Sequence, residues 1–517
     1  MLRANEKDKA KLLDPLFSAS PRFWGFVLIL LVVMGWGGYM YARQLLYGLG
    51  ETGMQRPVFW GVYMVNFIFF IGISHAGTLI SAILRVTGAE WRRPITRVAE
   101  AITVVALVVG SLQIIVDIGR PERLLYTLQY GRLQSPLLWD VISVTAYFLG
   151  SVTYLYLPLI PDAALLRDNF PEDGRRWQKR LYTLLALGWR GNREQWLRLE
   201  KAIAVMAVLI IPIAVSVHTI ISWILATTVQ PGWHSTIFGP YFVVGAIFSG
   251  IGALFVAMTV VRRVMGLEDY ITTRQYQNLG LLFIVMNAVW MYFTYAEHLT
   301  LAAGQQTHEF PVLASKLWGD FAPSFWTMVG LMVTAFWIMV VPLLLPDRVR
   351  NTILSHPAVF WSTAVIAVLA ALSMAGIIPF PGSKTLLVWV LAMAVLVAGL
   401  SAAAWYNSRP VGATVTAAIF VLVGMWLERW NIVAPTMTHP YLVDYSAYRP
   451  TMTEVAVTAA SFALFLFLFA LFFKLFPAVS VWEVAEGRVI EAERAKVRIP
   501  LPEPAGGGRM TLRETGD

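Results

Sequence analysis

The sequence predicts an all-α polytopic membrane protein: two four-helix bundles plus peripheral helices, with about 10-12 transmembrane helices. Three observations predict it. Twelve apolar stretches fill the chain from Phe23 to Phe476, each reaching the roughly 20 helical residues that a bilayer core about 30 Å thick requires. The composition is 57% hydrophobic and 14% charged with a mean hydropathy of +0.63, values that would not keep 517 residues in solution. A short internal echo, Ser74-His75-Ala76-Gly77-Thr78-Leu79-Ile80-Ser81 against Val217-His218-Thr219-Ile220-Ile221-Ser222, is what a duplicated four-helix bundle would leave.

Taken in order, the segments are a cytoplasmic N-terminal segment (1-22), a first helix and outer loop (23-57) and a first four-helix bundle (58-226) that includes a cytoplasmic loop (161-198). The start of a second bundle (227-356), an additional hairpin (357-406), two final helices (407-476) and a cytoplasmic tail (477-517) follow. The predicted spans run over 23-46, 58-84, 97-117, 137-160, 199-226 and 238-262, then 277-298, 321-346, 358-379, 385-406, 411-428 and 453-475. The first is span-length without a small-residue cleavage pattern, so it reads as a retained helix and not a signal peptide. The loop 161-198, rich in charge and Trp, reads as an amphipathic segment on the membrane surface.

Basic residues set the orientation. With the N-terminus inside, 31 of the 40 Lys and Arg fall in cytoplasmic loops and tails and 9 outside. Both termini are therefore expected in the cytoplasm of a bacterial inner membrane, and the net charge of +9 is an orientation signal that gives nucleic-acid binding no support. The outer loops 118-136, 227-237, 299-320 and 429-452 are poor in charge and rich in Pro, Gly, Tyr and Trp, a composition suited to docking an extrinsic subunit.

The chain has no cysteine, which excludes a disulfide, a thiolate zinc site, a thiolate-held iron-sulfur cluster and a covalent c-type haem within it. A b-type haem needs two histidines at one depth. His75 lies about 26 Å from the outer end of its predicted helix and His218 about 12 Å from the outer end of its own. The sequence thus places them too far apart in depth to meet, and no haem is expected in this chain.

Ionisable side chains within spans cost roughly 2.5 to 3.5 kcal/mol at a helix centre, so each needs a reason. His75 shares a face with Thr78 and Ser81, giving either a proton-exchanging stripe toward the cytoplasm or a neutral histidine satisfied by a carbonyl. Asp117 closes one helix beside Arg120, which can cap it locally, and Asp140 opens the next after Trp139, where the helix dipole favours an acid. The two carboxylates at one membrane face, with Arg120 between them and Trp139 adjacent, also form the proton acceptors and aromatic wall of a quinol pocket. Glu297-His298 and Glu428-Arg429 are read as outer helix ends, where interfacial anchoring accounts for either pair.

At these residues the chain resembles a known family. Asp117-Ile118-Gly119-Arg120-Pro121 followed by Ser135-Pro136 is similar to the signature of the polysulfide reductase-like (NrfD/PsrC) quinol-interacting membrane subunits. The stretches from His75 to Arg85, Glu90 to Arg97, Ser135 to Asp140, Ser216 to Thr219, Pro231 to Phe238 and Gly424 to Arg429 resemble the ActC-type subunits of alternative complex III. That resemblance covers about residues 20 to 485. It implies a subunit that oxidises menaquinol or ubiquinol near the outer face and passes electrons to a periplasmic iron-sulfur subunit. Electrons then reach c-type haem subunits, in a complex that holds a second related membrane subunit and can couple to proton translocation. Residue by residue, it implies Asp140 as the pocket aspartate, Asp117 as the position before Gly-Arg-Pro, and His75 as part of an inner proton path.

The chain departs from the ActC pattern in three places. Asp117 stands where His is usual, Ile224 follows Ser222-Trp223 where an aspartate is usual, and 357-406 adds a hairpin to the usual ten spans. Two other readings stay open. One is the membrane anchor of a molybdopterin oxidoreductase; the other is an ion or solute transporter, which would purify without redox partners.

Overall fold

The computed structural model describes residues 11–171, 174–344 and 409–497, together with residue 8 and scattered positions between 358 and 405. Ten helices among the described residues are long and apolar enough to cross a membrane. They are α1 (Pro21–Tyr47), α2 (Val62–Val86), α3 (Arg93–Asp117), α4 (Pro136–Asp168), α6 (Arg193–Ala226), α7 (Phe238–Val264), α8 (Thr273–Gly304), α10 (Ala322–Leu344), α11 (Pro410–Thr438) and α12 (Met452–Leu475). Shorter or more polar helices include α5 (Arg176–Leu185), α9 (Phe310–Leu317) and α13 (Val481–Val497). The hairpin expected over 357-406 lies outside the described residues, apart from scattered positions.

Local chemistry starts and stops these helices. The Ser20 hydroxyl accepts from the Phe23 N–H at 3.3 Å ahead of Pro21, and Asn192 accepts from the Gln195 N–H at 2.8 Å. Capping boxes Thr272/Gln275 and Thr451/Glu454 open α8 and α12. Beyond α3, Gly119 takes φ +68°, a conformation that reverses the chain ahead of Pro121.

Helices α2, α3, α4 and α6 close one ring of four, and α7, α8, α10 and α11 close a second. The rings meet where α2 packs on α7 and α11; α1 and α12 pair with each other at the periphery. Lipid explains the difference in exposure. The α2 window is 88% buried, whereas that of α1 is 11% buried and turns Leu28, Ile29 and Val32 outward. Close approach of α2 to α3 depends on Gly77, where a Cβ would lie 1.9 Å from the Ala99 carbonyl oxygen.

Helix ends alternate between two faces. One carries Asp117 and Asp140, here the Asp140 end; the opposite face carries Glu483. Within the loop expected at 161-198, α5 lies as a surface helix. Its Tyr182 is buried and donates to the Leu475 carbonyl at 2.9 Å, while Trp177 and Leu184 are exposed.

Candidate functional site

Asp117 and Asp140 stand at the same end of neighbouring helices, as expected. Each has a buried carboxylate oxygen, Oδ1, with no hydrogen-bond partner among the described residues. Arg120 does not cap Asp117, because Arg120 is exposed and no ion pair joins them among the described residues. The charged neighbour of Asp117 is instead Glu454. That glutamate is itself satisfied, accepting from Tyr448 at 2.5 Å, the Gly53 N–H at 2.7 Å and the Thr451 N–H at 2.8 Å. Tyr63 completes this corner by donating to Gln44 at 2.7 Å, and Gln44 donates to the Val116 carbonyl at 3.0 Å. Trp139 is half-buried, and its indole N–H donates to the Leu133 carbonyl at 2.5 Å, which fixes the ring one residue before Asp140. An unpaired buried carboxylate oxygen is costly unless a ligand or water meets it.

His75 lies elsewhere, midway along α2, and the depth argument from the sequence fails. His75 Nε2 is 3.1 Å from His218 Nδ1, with ring centroids 4.0 Å apart. Two assumptions made the rings look distant. Helix α2 begins at Val62 and not at 58, which puts His75 about 20 Å from its end. The ends of α2 and α6 also do not share one plane, and that stagger absorbs the remaining offset of about 8 Å. His75 Nδ1 faces the Ile71 carbonyl at 2.7 Å and Nε2 also faces that of Ala214 at 2.5 Å. A neutral ring has one N–H and so can donate to only one of the two carbonyls, while the donor in the His75–His218 contact depends on the tautomers.

From His75 a run of buried polar groups leads toward the Glu483 end. Tyr147 packs 4.8 Å from the imidazole and donates to the Ser74 carbonyl at 3.1 Å. Farther along α2, Ser81 donates to Glu100 at 2.9 Å and lies 3.3 Å from the Tyr154 hydroxyl. Arg97 pairs with Asp162 at 2.9 Å, both essentially unexposed, and also donates to the Pro158 carbonyl at 3.0 Å. The run ends where Arg85, Arg92 and Arg93 surround Glu483 of α13. Burial works against the Glu483 carboxylate, but the three guanidinium groups outweigh it and hold the carboxyl below its ordinary range.

Sequence reasoning named Thr78 and Ser81 on this path and missed Glu100, Tyr154 and Asp162. Glu100 is an acid inside the predicted span 97-117, which was signal enough. Asp162 was assigned to the loop 161-198, beyond a predicted span that ended at residue 160, between Pro158 and Pro161. In the structure α4 runs through both to Asp168, and the Pro158 carbonyl is taken up by Arg97 and by the Trp482 indole at 2.9 Å. Glu428-Arg429 is likewise no helix end, since α11 continues to Thr438 and both side chains are 1% exposed. Glu428 pairs with Arg429 at 2.7 Å and accepts from the Trp290 indole at 3.1 Å.

Fold and site together define a polytopic helical membrane protein with unpaired acids at one end of its first bundle and no cysteine of its own. The profile of the family described as "Polysulphide reductase, NrfD" matches residues 50–380, and the chain belongs to that family. A putative dimethyl sulfoxide reductase membrane subunit of Halobacterium salinarum is 30% identical over 363 residues, 69% of this chain and 76% of the relative. An Hdr-like menaquinol oxidoreductase integral membrane subunit of Archaeoglobus fulgidus is 24% identical, covering 56% of this chain and 63% of the relative. The menaquinone reductase integral membrane subunit of Nitratidesulfovibrio vulgaris is 27% identical over 29% of this chain and 35% of its own length.

Proposed function

We propose that this chain is the quinol-oxidising membrane subunit of a respiratory or photosynthetic complex of the alternative complex III type. The observation that carries the reading is the pair of buried, unpartnered carboxylate oxygens on Asp117 and Asp140 at one end of one bundle. Oxidation of a quinol to a quinone releases two electrons and two protons. Carboxylates at the ring hydroxyls accept the protons, and the electrons leave one at a time for an iron-sulfur cluster in a partner, since this chain has no cysteine to hold one. Relatives described as menaquinol and menaquinone subunits favour menaquinol as the substrate.

The Asp140 end is the outer face in this reading, with both termini cytoplasmic. The loop after α3 exposes Leu125, Tyr126, Tyr130 and Leu133 beside the site, an apolar surface suited to an extrinsic iron-sulfur subunit. The run from His75 through Ser81, Glu100 and Tyr154 serves proton translocation from the cytoplasmic side. A second reading, membrane subunit of a terminal reductase, is favoured by the likeness to the dimethyl sulfoxide reductase protein.

Purification of the tagged chain from native membranes tests the assignment. Iron-sulfur signals and c-type haem that menaquinol reduces are expected to accompany it. Molybdenum without c-type haem would favour the reductase reading, and a chain that purifies alone would contradict both.

A further inference from the structure

The second bundle has a pocket of its own at the Asp140 end. Its cavity is lined by Trp233, Tyr241, Phe325 and Met328 and by the ionisable Glu297, His298, Lys316 and Glu428. Sequence reasoning left the two glutamates and His298 as interfacial anchors and did not single out Lys316.

Three features say what kind of ligand suits it. First, polar atoms are left over. His298 Nδ1 faces the Thr294 carbonyl at 2.7 Å, whereas its buried Nε2 has no partner among the described residues. Lys316 has no ion pair or hydrogen bond among them either. Second, the charges balance: Glu428 is paired with Arg429 at 2.7 Å, and Lys316 offsets Glu297, whose carboxylate accepts from Ser235 at 2.5 Å. A free anion meets two carboxylates there and a free cation meets an ammonium and a guanidinium, so an uncharged ligand is favoured. Third, the walls are aromatic, and the exposed Tyr295, Trp318 and Trp326 nearby form the kind of belt that sits at the membrane interface, where an amphiphile's headgroup lies.

We infer that this pocket is a second ligand site, for an uncharged aromatic ring carrying polar oxygens, of the quinone class, with His298 Nε2 and Lys316 Nζ as its hydrogen-bonding groups. The ligand class rests on the proposed function; the pocket is separate from the Asp117 and Asp140 site, being built wholly from the second bundle and the loops and α9 that adjoin it. Burial draws the Lys316 ammonium down to about 8, against the pull of Glu297 and Glu428, so near neutrality it is a ready donor to a ring oxygen.

Photolabelling tests this on the intact complex in lipid nanodiscs, with an azido-naphthoquinone as probe and mass spectrometry of the peptides. Label is expected on two sets of peptides, one around Asp117 to Asp140 and one around Glu297, Lys316 and Glu428, both displaced by excess unlabelled naphthoquinone. Met328→Trp, which fills the second cavity, and His298→Leu should each cut the second set at least several-fold and leave the first unchanged; the retained first label reports a folded protein. Displaceable label confined to the first set overturns the second site and leaves the functional reading standing. Label confined to the second overturns the first-bundle quinol site alone. Label that excess naphthoquinone does not displace overturns both.

Discussion

His75 Nε2 and His218 Nδ1 are 3.1 Å apart in the middle of the first bundle, joining α2 to α6 by a contact between two fully buried imidazoles. Each ring is thereby a main polar neighbour of the other. Removing His75 leaves His218 Nδ1 buried without a partner, at a cost of about 1–3 kcal/mol, whereas removing both costs less than the sum of the single losses. Thermal unfolding of His75→Leu, His218→Leu and the double variant measures this. Additive losses would mean that the contact carries no coupling.

If the polar run beyond His75 carries protons, Glu100→Gln and His75→Leu weaken coupled proton uptake while uncoupled quinol oxidation continues. Proteoliposomes with a pH-sensitive dye inside separate the two rates. Equal loss of both would place these residues in quinol chemistry or in folding. A wild-type complex without proton uptake would return His75 to a merely satisfied histidine.

Glu483 pairs with Arg85 and Arg92, and its loss leaves their buried positive charge unopposed. Glu483→Gln is expected to destabilise the assembled protein by about 3–5 kcal/mol. The pH dependence has a definite sign. The folded carboxyl lies below its ordinary value of 4.5, so its contribution is fully present above that value and is lost as pH falls through the folded one. Denaturation curves of wild type and variant should therefore converge under acid and diverge above it; a constant gap would remove Glu483 from the linkage.

Lys316 gives a dependence of the same sign in a different pH window. Its folded value of about 8 lies below the ordinary 10.5, so between these the unfolded chain holds a proton that the folded one has lost, and stability rises with pH. Glu297 and Glu428 act on it from α8 and α11. Relative to Lys316→Met, the wild type should gain thermal stability across that interval. Parallel profiles would show that burial does not perturb this lysine.

How legible the chain was depends on how local each fact is. Spans follow from apolar length, and the common end of Asp117 and Asp140 follows from the short connection between two such spans. Errors arose where distant groups satisfy a local break. Asp162 lies in a helix that runs on past its predicted end, where Arg97 and Trp482 both donate to the Pro158 carbonyl, and Glu428-Arg429 resembles a membrane edge until Trp290 is seen beside it. Depth along α2 and α6 was misjudged because helix ends were treated as coplanar, which no count of residues can test. Lys316 and His298 converge only through the packing of α8, α9 and α11, and nothing in their spacing announces it.

Quinol turnover by the assembled complex carrying Asp140→Asn tests the central claim most directly. The amide keeps the shape of the side chain and cannot take the proton, so turnover should fall about 10²-fold with the amount of assembled complex unchanged. Turnover at the wild-type rate would contradict the assignment of Asp140 to the quinol site.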